Sequence, residues 1–240
     1  MSGGPAGEVE ERIRLGRFSL LLRRPAAPED LIDEDRFDDD EFLPYWAEPW
    51  PSGIALAQHL AALDLGGARV LELGCGLALP SFAAALAGAD VLATDWAPEA
   101  VDLVAANAAA NGIACEAAVL DWGSEQPAVP SRFDLVVAAD VLYEARNALP
   151  LLRLLDETVA RGGDALIADP GRRHAAAFFE RARAGGWSTE HTPADELPAG
   201  GIERLRRRHP LEGEAPRGTP DRPPRGAAPL GPAAGRGRRR

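Results

Sequence analysis

The 240-residue chain contains no lysine: all 26 of its basic residues are arginine. That absence removes several chemistries at once. A Walker A loop, a kinase-type phosphate-binding lysine and a Schiff-base cofactor each need a lysine amine. Cysteine is almost as scarce, with only Cys75 and Cys115 and no histidine cluster beside either. Such spacing supplies neither a metal-ligand set nor a disulfide framework, and it predicts two reduced thiols and no bound metal. The N-terminal "MSGGPAGEVEERIRLG" has no apolar h-region, and no apolar run approaches the ~20 residues of a membrane span. The expectation is a cytoplasmic protein without signal peptide or membrane segment. Excess positive charge is missing too: the net charge of −11 argues against general affinity for nucleic-acid phosphates. Nor is there a hydrolytic triad. His59, His174, His191 and His209 are scattered, Ser52 and Ser81 have no matched base, and Ser52 reads as a helix cap.

What is present suits one globular domain with extra chain at both ends. Apolar residues make up 46% of the sequence, enough for a full core. Residues 1–10 read as disordered. Residues 11–49 hold one or two strands in "RIRLGRFSLLLRRP", followed by "EDLIDEDRFDDDE" (Glu29–Glu41), which carries nine carboxylates against one arginine. The segment reads first as a solvated loop and second as a negative rim for a cationic substrate. Residues 50–209 form the main domain. Residues 210–240, rich in Pro, Gly and Arg, have little to bury and read as a disordered tail.

Inside the main domain strands alternate with helices. "ARVLELG", "VLATD", "CEAAVLD", "FDLVVAAD" and "DALIAD" are apolar runs of strand length. Between them, Leu79, Phe82, Ala83 and Leu86 share a helical face that Gly88 stops. Val101, Val104, Ala105 and Ala108 share another that ends at Asn111-Gly112. Asn147 is placed to cap a third helix closing at Gly162-Gly163, and a last helix starts near Arg172. "WSTEHTP" and "GIERLRRRH" then read as two strands with no helix between them. Strands apolar on both faces and separated by helices predict an α/β, doubly wound, mostly parallel sheet, ending in a C-terminal antiparallel hairpin.

In such sheets ligands sit outside the carboxyl ends of the strands, where the strand order reverses. The stretch "LELGCGLALP" (Leu71–Pro80) puts a glycine turn there. A dinucleotide fingerprint needs a third glycine, but that place holds Leu79. S-adenosylmethionine, shorter and free of phosphate, needs a bare turn and carboxylates for its ammonium and ribose. Glu72, Gly74, Gly76 and Asp95 supply these, and Asp121-Trp122 at the next strand end can bond and cover an adenine.

These residues, with "PYWAEPWPSGIALA" (Pro44–Ala57), "ATDWAPEA" (Ala93–Ala100) and "AADVLYE" (Ala138–Glu144), resemble the class I, seven-strand methyltransferases. The sequence is most similar to the small protein-lysine methyltransferases, a branch that includes the electron-transfer-flavoprotein β-subunit enzyme and its bacterial relatives. The resemblance spans roughly residues 42–187. It implies a Rossmann-like, seven-stranded sheet and S-adenosyl-L-methionine as cofactor. Contacts to the cofactor are implied at Trp50, Glu72, Gly74, Gly76, Asp95, Trp96, Asp121, Trp122 and Ala139, with Asp140 and Tyr143 in catalytic positions. Ala78 departs from the branch, which commonly has glycine there. The implied partner is a protein presenting an exposed lysine. A small amine or other metabolite as acceptor, and a non-catalytic cofactor-binding module, are the alternatives, and a nicotinamide oxidoreductase stands behind them because variants of the dinucleotide fingerprint exist.

Overall fold

The computed structural model describes residues 7–27, 45–122, 124, 129 and 132–207. The acidic Glu29–Glu41 segment and the 210–240 tail lie outside the described residues. Contacts separate Met1–Arg208 from His209–Arg240, so all the structure described here belongs to the first unit.

Strands β1 (Glu8–Leu15) and β2 (Phe18–Pro25) form an antiparallel hairpin turning at Gly16. β1 therefore starts within the ten residues that composition alone reads as disordered. The domain then runs through α1 (Pro51–Ala61), β3 (Arg69–Leu73), α2 (Leu79–Leu86), β4 (Asp90–Asp95), α3 (Pro98–Asn111) and β5 (Glu116–Val119). β6 (Phe133–Ala139), α4 (Ala148–Thr158), β7 (Val159–Asp169), α5 (Ala175–Ala184), β8 (Trp187–Thr192) and β9 (Gly201–Arg207) complete it.

The seven-stranded sheet has the order β5-β4-β3-β6-β7-β9-β8. Its pairings are parallel except at β9, which runs antiparallel to both β7 and β8. Strand residues alternate between two buried faces. Val70, Val137, Leu166 and Ala168 pack with α1, α2 and α3, whereas Leu71, Leu73, Val136, Ala138 and Ile167 pack with α4 and α5. A sheet covered on both sides explains why the strands read as unbroken apolar runs. The strand order reverses between β3 and β6, so their carboxyl ends flank the crevice.

The hairpin docks on α3 through two side-chain amides. Asn107 accepts from the Arg23 N–H at 2.8 Å and donates to the Arg23 carbonyl at 2.9 Å. Asn111 treats Leu21 the same way, both bonds at 2.8 Å. Two residues of strand advance ~6.8 Å and four of helix ~6 Å, so residues i and i+4 of α3 match alternate residues of β2. The two asparagines thus satisfy the outer edge of β2 as a third strand would. This is why the buried face of α3 is Ala100, Val104, Asn107 and Ala108, while Ala105 of the expected apolar stripe is exposed.

Four other local expectations change. Leu86 turns outward at the end of α2. α4 stops at Thr158, and Gly162-Gly163 lie within β7, where the register with β6 shifts; a Cβ on Gly163 would come within 2.7 Å of the Asp134 carbonyl. Asn147 makes no cap, because its side chain donates to the Val141 carbonyl at 2.9 Å. α5 begins three residues later than expected, because Asp169 Oδ1 holds Gly171 and Arg172 in a turn.

Candidate active site

The turn leaving β3 is shaped by backbone that only small residues allow. Gly74 and Gly76 have φ of +69° and +49°, a region costly for residues with a Cβ. Space forbids a side chain as well. A Cβ on Gly74 would meet Val141 Cγ1 at 3.0 Å and the Trp122 ring at 3.5 Å, and one on Gly76 would meet the Trp46 carbonyl at 2.9 Å. Ala78 also takes left-handed geometry, φ 55° and ψ 32°, immediately before α2. That conformation explains why glycine suits this position, and the buried alanine methyl still fits.

Asp95, at the end of β4, closes the turn. Its Oδ2 accepts from the Gly76 N–H at 2.8 Å and its Oδ1 from the Ala97 N–H at 3.1 Å. Burial raises its pKa, while these backbone donors pull the other way.

Glu72 does not face the crevice. It is 1% exposed, and its Oε2 accepts from both the backbone N–H (2.9 Å) and the hydroxyl (2.5 Å) of Ser81 in the first turn of α2. The expected cofactor ligand is instead the cap of this helix, reaching it from the neighbouring strand. Ser52, the expected cap of α1, sits one residue inside that helix with its hydroxyl buried and unpartnered.

Around the mouth stand exposed aromatics. Tyr45, Trp50, Trp96 and Tyr143 are among the few large apolar side chains on the described surface. Tyr45 packs edge-on against Trp50 at 6.1 Å and against Tyr143 at 5.9 Å, and the Trp50 indole N–H donates to the Tyr45 carbonyl at 2.7 Å. Trp122 lies beside Gly74, and Asp121, exposed two residues past the end of β5, receives the Ser124 hydroxyl on its carbonyl.

Across the switch point, Ala139 ends β6 and Asp140 follows it with φ +57°, a conformation uncommon for any residue but glycine. Two contacts hold it there. Its N–H donates to the Ala168 carbonyl at 2.9 Å, and its carboxylate receives Arg172 in two-pronged fashion, Nε at 2.8 Å and Nη2 at 3.1 Å. Asp169, ending β7, uses Oδ1 for the N–H groups of Gly171 and Arg172 and leaves Oδ2 buried without a partner. Burial raises the Asp169 pKa, and the nearby Asp140 charge adds to the effect. Burial, aided by Glu144, likewise raises the Tyr143 phenol.

The topology thus gathers Trp50, Gly74, Gly76, Asp95, Trp96, Asp121, Trp122, Ala139, Asp140 and Tyr143 at one edge of the sheet and sets Glu72 behind it. The sequence pattern assigns no role to Tyr45 or Arg172, and it reads "DPG" (Asp169–Gly171) first as a tight turn and second as a lining of the substrate mouth. Asp169 carried a visible signal, a carboxylate ending a buried strand before Pro-Gly, whereas nothing in the sequence pairs Arg172 with a residue 32 positions earlier. Among the described residues there is no cluster of three or more groups able to hold a metal, and no helix long and apolar enough to cross a membrane.

This architecture is that of known methyltransferases. It resembles the TehB-like SAM-dependent methyltransferase of Corynebacterium glutamicum (TM-score 0.53, 21% identity, 66% of this chain and 87% of that one). It also resembles the ribosomal protein L11 methylase of Lactobacillus delbrueckii subsp. bulgaricus (TM-score 0.55, 22% identity, 66% and 79%). At that identity the likeness shows the fold. The sequence goes further. The profile of the lysine methyltransferase family matches residues 47–184, and the chain belongs to that family. It is 38% identical over 135 residues to the electron transfer flavoprotein beta subunit lysine methyltransferase of Danio rerio, covering 54% of this chain and 51% of that protein. It is 31% identical over 169 residues to EEF1A lysine methyltransferase 3 of Mus musculus, covering 68% and 72%. The chain spans about half the length of its electron-transfer-flavoprotein relatives.

Proposed function

We propose that the chain is an S-adenosylmethionine-dependent methyltransferase that modifies a lysine side chain of another protein. The observation that carries this reading is the coincidence of the family match, residues 47–184, with the segment that builds the crevice.

The residues present fit the cofactor. Gly74 and Gly76 hold the turn in left-handed backbone with no side chain over it, and Asp95 at the next strand end, whose two oxygens each accept one backbone N–H, keeps lone pairs for the ribose hydroxyls. When bound, the cofactor would supply an electrophilic methyl on a sulfonium, the C–S bonding pair leaving with sulfur while the amine lone pair makes the N–C bond. The protein must orient the amine, strip water from it and keep it neutral. A free lysine amine, pKa ~10.4, has no available lone pair at neutral pH. Asp140, fixed at the end of β6, is placed to accept an N–H from the amine and aim its lone pair. Tyr45, Trp50 and Tyr143 wall the approach and offer ring faces to a cation. The free cysteines Cys75 and Cys115 support a reducing compartment, and we place the enzyme in the cytoplasm.

The test is incubation with methyl-labelled cofactor and cell lysate. Label on lysines of protein is expected, and label confined to small molecules would overturn the protein-acceptor reading. Since the 240 residues contain no lysine, any methyl-lysine recovered comes from another protein. Asp140→Ala should abolish labelling and fail to rescue any phenotype that loss of the gene produces; rescue by Asp140→Ala would mark a binding module.

A further inference from the structure

The side chain that contacts Asp140 in this structure belongs to the protein itself. Arg172, on the loop after β7, spans both oxygens of the carboxylate at 2.8 and 3.1 Å. Asp140 is buried, and Arg172 reaches it from a half-exposed position while its own backbone N–H is pinned by Asp169. The arginine is therefore anchored at both ends, and its guanidinium stands where charge matters most to an incoming amine.

A bare buried carboxylate next to a lysine amine favours the ammonium, which has no lone pair to give. A carboxylate already paired with a guanidinium keeps acceptor capacity for an N–H, yet presents little net charge. We infer that Arg172 is a positioning residue for methyl transfer. It fixes the Asp140 carboxylate and cancels its charge, so that the acceptor amine loses its proton to solvent more readily inside the site. This role rests on the function proposed above. The other ionisable groups facing the pair are Asp169 from β7 and Tyr45 from the turn before α1; beyond Tyr45 stands Tyr143, next to the Glu144–Arg146 pair on the loop after β6. Asp169, with its buried and unpartnered Oδ2, stands beside the pair, so removing the arginine leaves the amine facing Asp140 with no compensating cation.

Arg172→Gln and Arg172→Met both remove the charge, and Arg172→Lys keeps it. The probe is methyl label entering lysine in the protein fraction of lysate from cells lacking the gene, at saturating cofactor across the pH range. For a charge ~6 Å away, screened by partial exposure, the acid limb of the rate should move up by about one pH unit in both neutral variants. Below the limb the rate then falls about tenfold, and at high pH it rejoins the wild type. R172K should keep the limb in place. Titration with S-adenosylhomocysteine should give unchanged affinity in every variant. Coincident limbs, a loss uniform over pH, or lost S-adenosylhomocysteine binding in R172Q and R172M would each overturn the role, the last two by showing that the arginine merely supports the fold. A wild type that labels no protein lysine at any pH defeats the functional reading itself, and the Arg172 role with it.

Discussion

Glu72 offers the sharpest physical test, because three effects act on one carboxyl and burial wins. Two hydrogen bonds from Ser81 and the N-terminal end of α2 all favour the anion. Burial favours the neutral acid, and with 1% exposure it pushes the pKa to about 8 from an ordinary 4.5. The folded protein therefore holds a proton between those limits that the unfolded chain has released. Its contribution to stability is complete below about pH 4.5, declines as pH climbs toward 8, and is flat above. Each unit of pH within the window is worth about 1.4 kcal/mol, so about 4 kcal/mol is the ceiling between pH 5 and 8. Water penetration and the polar end of α2 reduce this to about 2–4 kcal/mol.

Glu72→Gln keeps the shape and an oxygen for Ser81 but carries no titrating proton. Urea unfolding of wild type and E72Q should be followed at closely spaced pH values through the window. Asp169, whose pKa is also raised, is present in both proteins and cancels in the difference, whereas Asp95, whose charge helps to raise Glu72, titrates as part of the same pair and its change on substitution belongs to the effect. The wild type should lose about 2–4 kcal/mol relative to E72Q as pH rises from about 5 to 8. A difference that stays constant, or that moves toward the wild type with rising pH, would show that Glu72 is ionised in the fold and that the burial argument is wrong.

Gly76→Ala forces a Cβ to within 2.9 Å of the Trp46 carbonyl at φ +49°, so it should cost about 2 kcal/mol in thermal unfolding and remove S-adenosylhomocysteine binding by calorimetry. Ala78→Gly relieves about 1 kcal/mol of left-handed strain but gives up a buried methyl worth about 0.8 kcal/mol. It should leave stability and cofactor affinity nearly unchanged, and a large loss of either would show that the alanine methyl has a role of its own. Asn107→Ala removes both bonds to Arg23 and should cost about 2 kcal/mol. Hydrogen exchange should then speed up at the Arg23 amide before it does in the central strands.

The sheet was legible because each central strand is buried on both faces, so β3, β4, β6 and β7 appear as continuous apolar runs that need no partner information. Topology brings Gly74, Asp95, Asp121 and Asp140 to one edge, since parallel strands share the direction of their carboxyl ends, whereas the roles expected of Asp140 and Tyr143 rest on the family resemblance. The docking of the hairpin was hidden, because Asn107 interrupts the apolar stripe of α3 and looks solvent-facing until β2 is laid across it. Arg172 was hidden for a related reason. Ion pairs between loops depend on where each loop lands, which no local pattern encodes. The direction of Glu72 could have been read. Side chains alternate along a strand, and Val70 points to the face covered by α1 and α2, so Glu72 must point there as well. Parity sets it beneath α2 and away from the crevice.

That placement bears on why this glycine turn takes one class of cofactor and excludes another. In a dinucleotide site the free N–H groups at the start of the first helix bind the pyrophosphate, and a glycine lets the helix approach the strand. Here Ser81 in that first turn has already given both its N–H and its hydroxyl to Glu72. Leu79 fills the place of the missing glycine with a buried side chain. An incoming phosphate would have to displace a buried carboxyl group and, at pH values where that group is ionised, settle beside its charge. A cofactor with no phosphate meets neither obstacle. On the function proposed above it would rest on the bare turn at Gly74 and Gly76 and on the carboxylate of Asp95, so the same acid that caps α2 would separate this turn from a nucleotide loop.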